Sequence, residues 1–218
     1  MRVDFYFSIG SRYSYLAASQ LGALAAETGC SFEWKPVDGP RLIALRPDDP
    51  FAHPARGGQY APEYRDRDVA RWAAHYGIPY VEPGGRVAWS PAELARACTA
   101  ARRLGSAEAF ARGLFVAMYH GSAARLDAGE CVRIAAECGL DRARFSELLG
   151  AHETAVALTA MIDEAFARGV FGVPTFVIGD ESFWGNDRLA LLRDHLLGGG
   201  PGQPARCDEE KPMRWNAR

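Results

Sequence analysis

The sequence predicts an α/β fold in which a block of helices interrupts a small sheet. At one end, RVDFYFSIGSRYSYLAA is typical of a strand followed by a helix. At the other end, residues 170–189 combine an X-Pro step, two short apolar runs around a Gly-Asp turn and the start of an amphipathic stretch. Between them, residues 64 to 168 show helical periodicity almost throughout. Strand and helix first, then hairpin and helix last, are the two halves of a thioredoxin-like fold.

The N-terminal half begins with a β-α-β unit. Residues 2–9 alternate as a buried strand does, and residues 12–28 have apolar side chains at helical spacing, with Gly29 as the end of the helix. A second strand is expected at about 31–38, weakened by Pro36. A right-handed crossover should make the two strands parallel.

The middle of the chain is expected to be a long loop followed by helices. Residues 39–63 are rich in Pro, Gly and Asp, which predicts a surface loop with at most one helical turn. Helices are then predicted near 64–77, 91–104, 106–121, 127–138 and 141–168. Strands are expected again only at 174–184, followed by a last helix at about 187–197.

This order predicts one thioredoxin-like domain that a helical domain divides. Residues 1–60 form its first half and residues 169–200 its second half, with the helical insertion domain at 61–168. Residues 201–218 have the composition of a C-terminal tail.

The composition excludes several functional classes. Of 218 residues, 48% are hydrophobic, and the formal net charge of −2 gives no reason to expect a nucleic acid or an anionic membrane as partner. No apolar run is long enough to span a membrane, and no secretory signal is recognised. The five cysteines are irregularly spaced without C-x-x-C, which argues against a disulfide framework, and the histidines suggest no metal site. We expect a cytoplasmic protein.

Ser11 is the first candidate for chemistry, because it stands where the first helix begins. Backbone N–H groups and the helix dipole converge there and stabilise an anion. No cysteine precedes Cys30, so a disulfide oxidoreductase is not expected. The Ser11 hydroxyl could instead donate a hydrogen bond to a thiolate that another molecule supplies. The alternative is that Ser11 only caps the helix.

Three motifs resemble the 2-hydroxychromene-2-carboxylate isomerase family, whose relatives include the kappa-class glutathione transferases and, more distantly, DsbA. The opening DFYFSIGSRYSYLA is similar to the family's F-D-F-x-S-P-Y-S-Y/W-L motif, and VFGVPTFVIGDESFWGNDRL to its F-G-V-P-T and W-G-x-D-R-L ending. The segment RDVARWAAHYGIPY, 67–80, looks like the family's R-W-A-x-x-Y-G-I-P helix. Both ends match in the right order.

The resemblance implies glutathione as cofactor. Ser11 would contact its sulfur, with Arg12 and Tyr13 beside it. Pro174 matches the cis-proline of this fold, so that the backbone of Val173 would pair with the extended glutathione peptide; an ordinary trans turn is the alternative.

At the γ-glutamyl end of glutathione, the resemblance places Asn186 and Asp187. These two residues could also be plain helix caps. Trp184 would be a wall of the site, or simply core.

Two residues depart from the family's opening, since Ser8 replaces an Asp and Arg12 replaces the Pro after the serine. The Arg12 cation could lower the pKa of the thiol or bind an acidic substrate, or it could point to solvent. The family's Asn in the loop after the second strand has no counterpart here. His53 is the nearest polar candidate for a substrate contact, and an exposed loop histidine is the alternative.

The implied function is a glutathione-dependent cis–trans isomerase that converts 2-hydroxychromene-2-carboxylate to trans-o-hydroxybenzylidenepyruvate, with Ser11 as its catalytic residue. The implied partners are a small aromatic α-keto acid and a second copy of the chain in a homodimer, without nucleic acid or membrane. Two alternatives stay open: a kappa-like glutathione S-transferase, and a thioredoxin-fold binding protein without catalytic activity.

Overall fold

The computed structural model describes residues 1–46, 61–121 and 123–198. The strands within these ranges are β1 (Arg2–Phe7), β2 (Ser31–Pro36), β3 (Ala88–Trp89), β4 (Arg125–Leu126), β5 (Thr175–Ile178) and β6 (Glu181–Trp184). The helices are α1 (Arg12–Thr28), α2 (Gly39–Ala44), α3 (Pro62–Tyr76), α4 (Pro91–Arg103), α5 (Ala107–Tyr119), α6 (Ala128–Glu137), α7 (Arg142–Gly150), α8 (His152–Ala167) and α9 (Leu189–Leu196). A short 3-10 helix, Asn186–Arg188, precedes α9.

The main sheet has four strands in the order β2-β1-β5-β6. β1 and β2 run parallel, as the β-α-β pattern predicted, whereas β5 runs antiparallel to β1 and to β6. In this register Phe5 lies opposite Trp34 on one side and Phe176 on the other. The two halves of the predicted thioredoxin-like fold therefore meet between β1 and β5, and the α/β fold class is confirmed.

Both faces of β1 are buried. Phe5 and Phe7 stack at 5.3 Å between ring centroids, and Phe7 also contacts Phe115 of α5. The alternation in the sequence correctly separates these rings from Asp4 and Tyr6, which lie on the other face. That second face is also covered, since Tyr6 is fully buried and Asp4 is 7% exposed.

A charged cluster holds this second face of β1 against α8. Lys35 Nζ lies 2.9 Å from Asp4 Oδ2 and 2.6 Å from Glu164 Oε1, and the Tyr6 hydroxyl donates to Glu164 at 2.9 Å. Arg168 forms a second ion pair with Asp4. Burial opposes the ionisation of both acids, but hydrogen bonds, chiefly from Lys35, lower the pKa of Asp4 and that of Glu164.

Most predicted helices are confirmed within two residues, but the single helix at 141–168 is wrong. The helix is interrupted at Ala151, whose backbone is extended (φ −68°, ψ 139°) and which separates α7 from α8. Arg96 donates to the carbonyl oxygens of Gly150 and Ala151 at 2.8 and 3.0 Å, which satisfies backbone acceptors at the end of α7. Apolar residues continue through the break, so the periodicity does not indicate it.

Three further expectations need correction. The helical block contains two-residue strands, since β3 pairs in parallel with β4. The loop after β2 begins with α2, whose six residues exceed one turn because Asp38 caps it by accepting from Arg41 N. The last helix begins as the 3-10 segment and becomes α-helical only at Leu189.

Candidate functional site

Ser11 lies at the junction between β1 and α1. It is the N-cap of α1, with extended backbone (φ −92°, ψ 110°), and its Oγ accepts a hydrogen bond from Ser14 N at 3.2 Å. The same hydroxyl donates to the carbonyl oxygen of Val173 at 3.3 Å. Ser11 is therefore a helix cap, but its hydroxyl proton points away from the helix, toward the segment that enters β5.

The Val173–Pro174 peptide bond is cis, as predicted. The carbonyl oxygen of Pro174 accepts from Gly185 N at 2.9 Å, which ties this turn to the end of β6. Thr175 Oγ1 donates to Gly172 O at 2.7 Å on the preceding side. These contacts fix the chain where the N-terminal and C-terminal halves of the domain meet.

An open cleft of about 440 Å³ extends from Ser11 along this junction. This volume lies within the range of small-molecule sites. The lining residues come from the start of α1, from α3, from the cis turn and from the segment after β6: Ser11, Tyr13, Tyr64, Arg65, Asp68, Trp72, Val173, Pro174, Trp184, Gly185, Asn186, Asp187 and Arg188.

Tyr13 joins α1 to α3 at the cleft wall. Its hydroxyl donates to Asp68 Oδ2 at 2.9 Å, and the Arg65 guanidinium lies 5.9 Å from its ring centroid. Burial, followed by the neighbouring Asp68 carboxylate, raises the pKa of Tyr13 to about 12. The phenol is therefore neutral at physiological pH and remains a hydrogen-bond donor.

Asn186 and Asp187 differ in their surroundings. Asn186 is 3% exposed, and its Nδ2 donates to the Tyr76 hydroxyl at 3.4 Å. The half-exposed Asp187 carboxylate pairs with Arg188 at 2.8 Å. Because the two residues belong to a 3-10 turn, the expectation that they begin the last α-helix is corrected. Gly185 precedes them with φ 110°, a conformation that other residues avoid.

Trp184 is part of the cleft wall and not simple core. Its side chain is 38% exposed, and its ring packs on Phe171 at 5.0 Å between centroids. A Cβ built at Gly172 would lie 2.9 Å from the indole Nε1. The absence of a side chain at Gly172 therefore lets the indole lie close to the cis turn.

Arg12 does not line the cleft. Its guanidinium pairs with Asp66 of α3 and with Glu82 at 3.2 Å. Burial opposes the charge of the guanidinium, but the two carboxylates outweigh burial, so the pKa of Arg12 lies above its usual value. The alternative that Arg12 points to solvent is wrong, because its side chain is only 21% exposed and pairs with both carboxylates. A role for Arg12 beside the sulfur stays a prediction.

The cleft thus combines seven of the predicted site residues: Ser11, Tyr13, Val173, Pro174, Trp184, Asn186 and Asp187. His53 lies outside the described residues. The α3 wall was not predicted, although Tyr64, Asp68 and Trp72 recur every four residues and so share one helix face. That spacing was the available signal.

The described ranges contain neither a metal-binding cluster nor a membrane-spanning helix. Among those residues, no group of three or more His, Cys, Asp or Glu side chains is placed to hold a metal ion. Within the same ranges, no helix has both the length and the apolar character needed to cross a bilayer.

Comparison with known proteins places the geometry in context. Residues 2–197 match the DsbA-like thioredoxin domain family. The chain is 32% identical over 206 residues to the 2-hydroxychromene-2-carboxylate isomerase of Sphingobium xenophagum, covering 89% of this chain and 97% of that protein. It is also 32% identical over 198 residues to the isomerase of the same name from Pseudomonas putida, covering 90% and 94%.

Solved structures are similar over the same range. A 2-hydroxychromene-2-carboxylate isomerase structure superposes with a TM-score of 0.75 at 28% identity, covering 90% of this chain and 94% of the other. A probable DsbA oxidoreductase from Streptomyces coelicolor superposes with a TM-score of 0.66 at 19% identity, covering 99% and 94%. The second similarity supports the fold alone.

Proposed function

Because this chain belongs to the 2-hydroxychromene-2-carboxylate isomerase family, within the DsbA-like thioredoxin domain family, we propose that it is a glutathione-dependent cis–trans isomerase of a small aromatic α-keto acid. The proposed reaction converts 2-hydroxychromene-2-carboxylate to trans-o-hydroxybenzylidenepyruvate. One observation carries the proposal. The Ser11 hydroxyl at the start of α1, the Val173–Pro174 turn and residues 184–188 line a single cleft.

The chemistry of the cleft fits glutathione. Glutathione has two carboxylates, one ammonium group, two amides and a thiol, and the cleft offers Arg65 and Arg188 as cations and Asp68 and Asp187 as carboxylates. Bound glutathione would supply a thiolate nucleophile for the conjugated double bond of the substrate. Because an isomerisation does not consume its cofactor, glutathione would be regenerated in each turnover.

Ser11 would stabilise the sulfur anion. The N-cap bond to Ser14 N holds Oγ in place before the ligand binds, so only the hydroxyl proton must turn from Val173 O to the sulfur. The chain offers no substitute thiol in the first turn of α1, since Cys30 is its first cysteine and is buried. In the proposed mechanism, the thiol nucleophile therefore comes from the ligand.

Asp187 would bind the γ-glutamyl ammonium group. Its carboxylate is half-exposed at the cleft and pairs with Arg188, which leaves Arg188 beside the position of the neighbouring α-carboxylate. Buried Asn186 would act through Tyr76, by holding the 3-10 turn on α3. In this arrangement, Asp187 and Arg188 would bind the two charged groups at the γ-glutamyl end of glutathione.

The test combines a glutathione titration with product analysis. We expect glutathione to bind the wild-type protein and catalytic amounts of it to support net conversion of the chromene. Asp187→Asn should weaken glutathione binding about tenfold, whereas Asp180→Asn, at the β5–β6 turn outside the cleft, should not. Accumulation of a glutathione conjugate without isomer would indicate the transferase instead. Absence of glutathione binding would refute both enzymes and favour the binding protein.

A further inference from the structure

Trp89 lies directly over the loop that leads to Ser11. A Cβ built at Gly10 would lie 2.5 Å from Cζ3 of the Trp89 indole, so that only glycine allows this contact. The indole is nevertheless 36% exposed, which is unusual for a residue packed so closely against backbone. The outer atoms of the six-membered ring therefore pack on Gly10, while part of the side chain stays exposed.

The position of the indole is fixed by the backbone on both sides. Trp89 belongs to β3 and lies opposite Leu126, which is fully buried. The next residue, Ser90, is the N-cap of α4, and its Oγ accepts from Glu93 N at 3.4 Å. An exposed aromatic ring on such a support is oriented before any ligand arrives.

The indole packs on Gly10, the residue before Ser11, and does not line the cleft. Ser11 lines the cleft, but neither Gly10 nor Trp89 is among the described residues that do so. A second reactant must reach the sulfur of bound glutathione from a direction that the tripeptide leaves open. The exposed indole, packed on Gly10 one sequence position from Ser11, is not part of the cleft lining.

We propose that Trp89 is the stacking surface for the aromatic ring of the electrophilic substrate. This inference rests on the proposed function, and it adds a specificity-determining residue outside the lining of the glutathione cleft. A planar conjugated acid can lie along an indole face, and tryptophan gives the largest area for such a contact. Trp184, the other exposed indole near Ser11, lines the glutathione cleft itself.

The test uses cinnamate, a planar conjugated aromatic acid, titrated into protein saturated with glutathione. Trp89→Ala should raise the Kd of cinnamate and the KM of the chromene about tenfold, while the Kd of glutathione changes less than twofold. Trp89→Phe should raise both by about two- to threefold, because a smaller ring remains. Phe166→Ala, which removes an exposed ring of α8, should leave all three constants unchanged.

Gly10→Ala is an independent test of the stacking surface, and it can be measured even if Trp89→Ala does not fold. The new methyl group should displace the indole and weaken cinnamate binding in the wild-type background but not in the Trp89→Ala background. Unchanged cinnamate affinity in Trp89→Ala and Trp89→Phe, with glutathione bound normally, would overturn the stacking surface alone. A wild-type protein that does not bind glutathione would overturn the proposed function, and the inference with it.

Discussion

Replacing Ser11 with alanine should raise the pKa of the glutathione thiol in the complex. The substitution removes one hydroxyl, which in the ligand-free structure donates to Val173 O at 3.3 Å and accepts from Ser14 N at 3.2 Å. When a thiolate binds, the hydroxyl proton must leave the Val173 carbonyl to reach the sulfur. The substitution therefore tests the difference between two hydrogen bonds and not the whole of one.

The expected magnitude follows from that exchange. A hydrogen bond to a charged acceptor contributes about 1.5–3 kcal/mol, and a neutral bond such as the one to Val173 O about 0.5–1.5 kcal/mol. The net loss of roughly 1.4 kcal/mol corresponds to a rise of about one unit in the thiol pKa. Lost capping should also lower the free energy of unfolding by about 1 kcal/mol.

Ultraviolet absorbance of the thiolate, measured against pH at saturating glutathione, gives the pKa directly. Asp141→Ala is the matched control, because Asp141 caps α7 as Ser11 caps α1, accepting from Arg144 N at 2.7 Å, and does not line the cleft. It should show the loss of stability without the change in pKa. If Ser11→Ala and wild type give the same thiol pKa, Ser11 does not stabilise the anion and the proposed mechanism is wrong.

Three further predictions concern stability and the cleft. Lys35→Met should lower the free energy of unfolding by about 3 kcal/mol and the Tm by roughly 6–12 °C, because it leaves buried Asp4 without its main partner. Arg103→Met, which removes a half-exposed ion pair, should change the Tm little. Folding lowers the pKa of Asp4, so its ionised carboxylate should contribute fully to the free energy of unfolding above the unfolded pKa of about 3.9. This contribution should be lost as the pH falls below that value, and a decline in the urea midpoint would measure the loss. Gly185→Ala should weaken glutathione binding and lower the Tm, because its φ of 110° excludes a side chain, whereas Gly22→Ala on open helix surface should raise the Tm.

The sequence predicted the parts of the fold that depend on local pattern. Strand alternation separated Phe5 from Tyr6, and the Pro174 motif predicted a cis bond that the structure contains. The break at Ala151 was missed because apolar residues continue through it, and the side chain that satisfies its carbonyl group, Arg96, is 55 residues away in the sequence. The two-residue strands β3 and β4 were missed because so short a run has no periodicity.

The candidate site was predictable where the motifs were contiguous. The motif residues at both ends of the chain meet in one cleft, apart from Arg12. The α3 wall depends on how a helix packs across the sheet edge, and only the four-residue spacing of Tyr64, Asp68 and Trp72 hinted at it. Gly10 and Trp89 are 79 positions apart, and their contact follows from tertiary packing alone.

The ion cluster around Arg12 determines how ionic strength acts on the site. Arg12 is next to Ser11, yet Asp66 and Glu82 both pair with it, so the three side chains together carry one excess negative charge. This cluster supplies no positive field at the sulfur, and a thiolate must rely on the short-range hydroxyl and backbone dipoles. Added salt screens distant charges within a Debye length of about 10 Å at 0.1 M but leaves direct hydrogen bonds in place. As far as this cluster acts, salt should leave the affinity for the thiolate form unchanged or increase it slightly, the opposite of an enzyme that attracts its anion with an unpaired arginine.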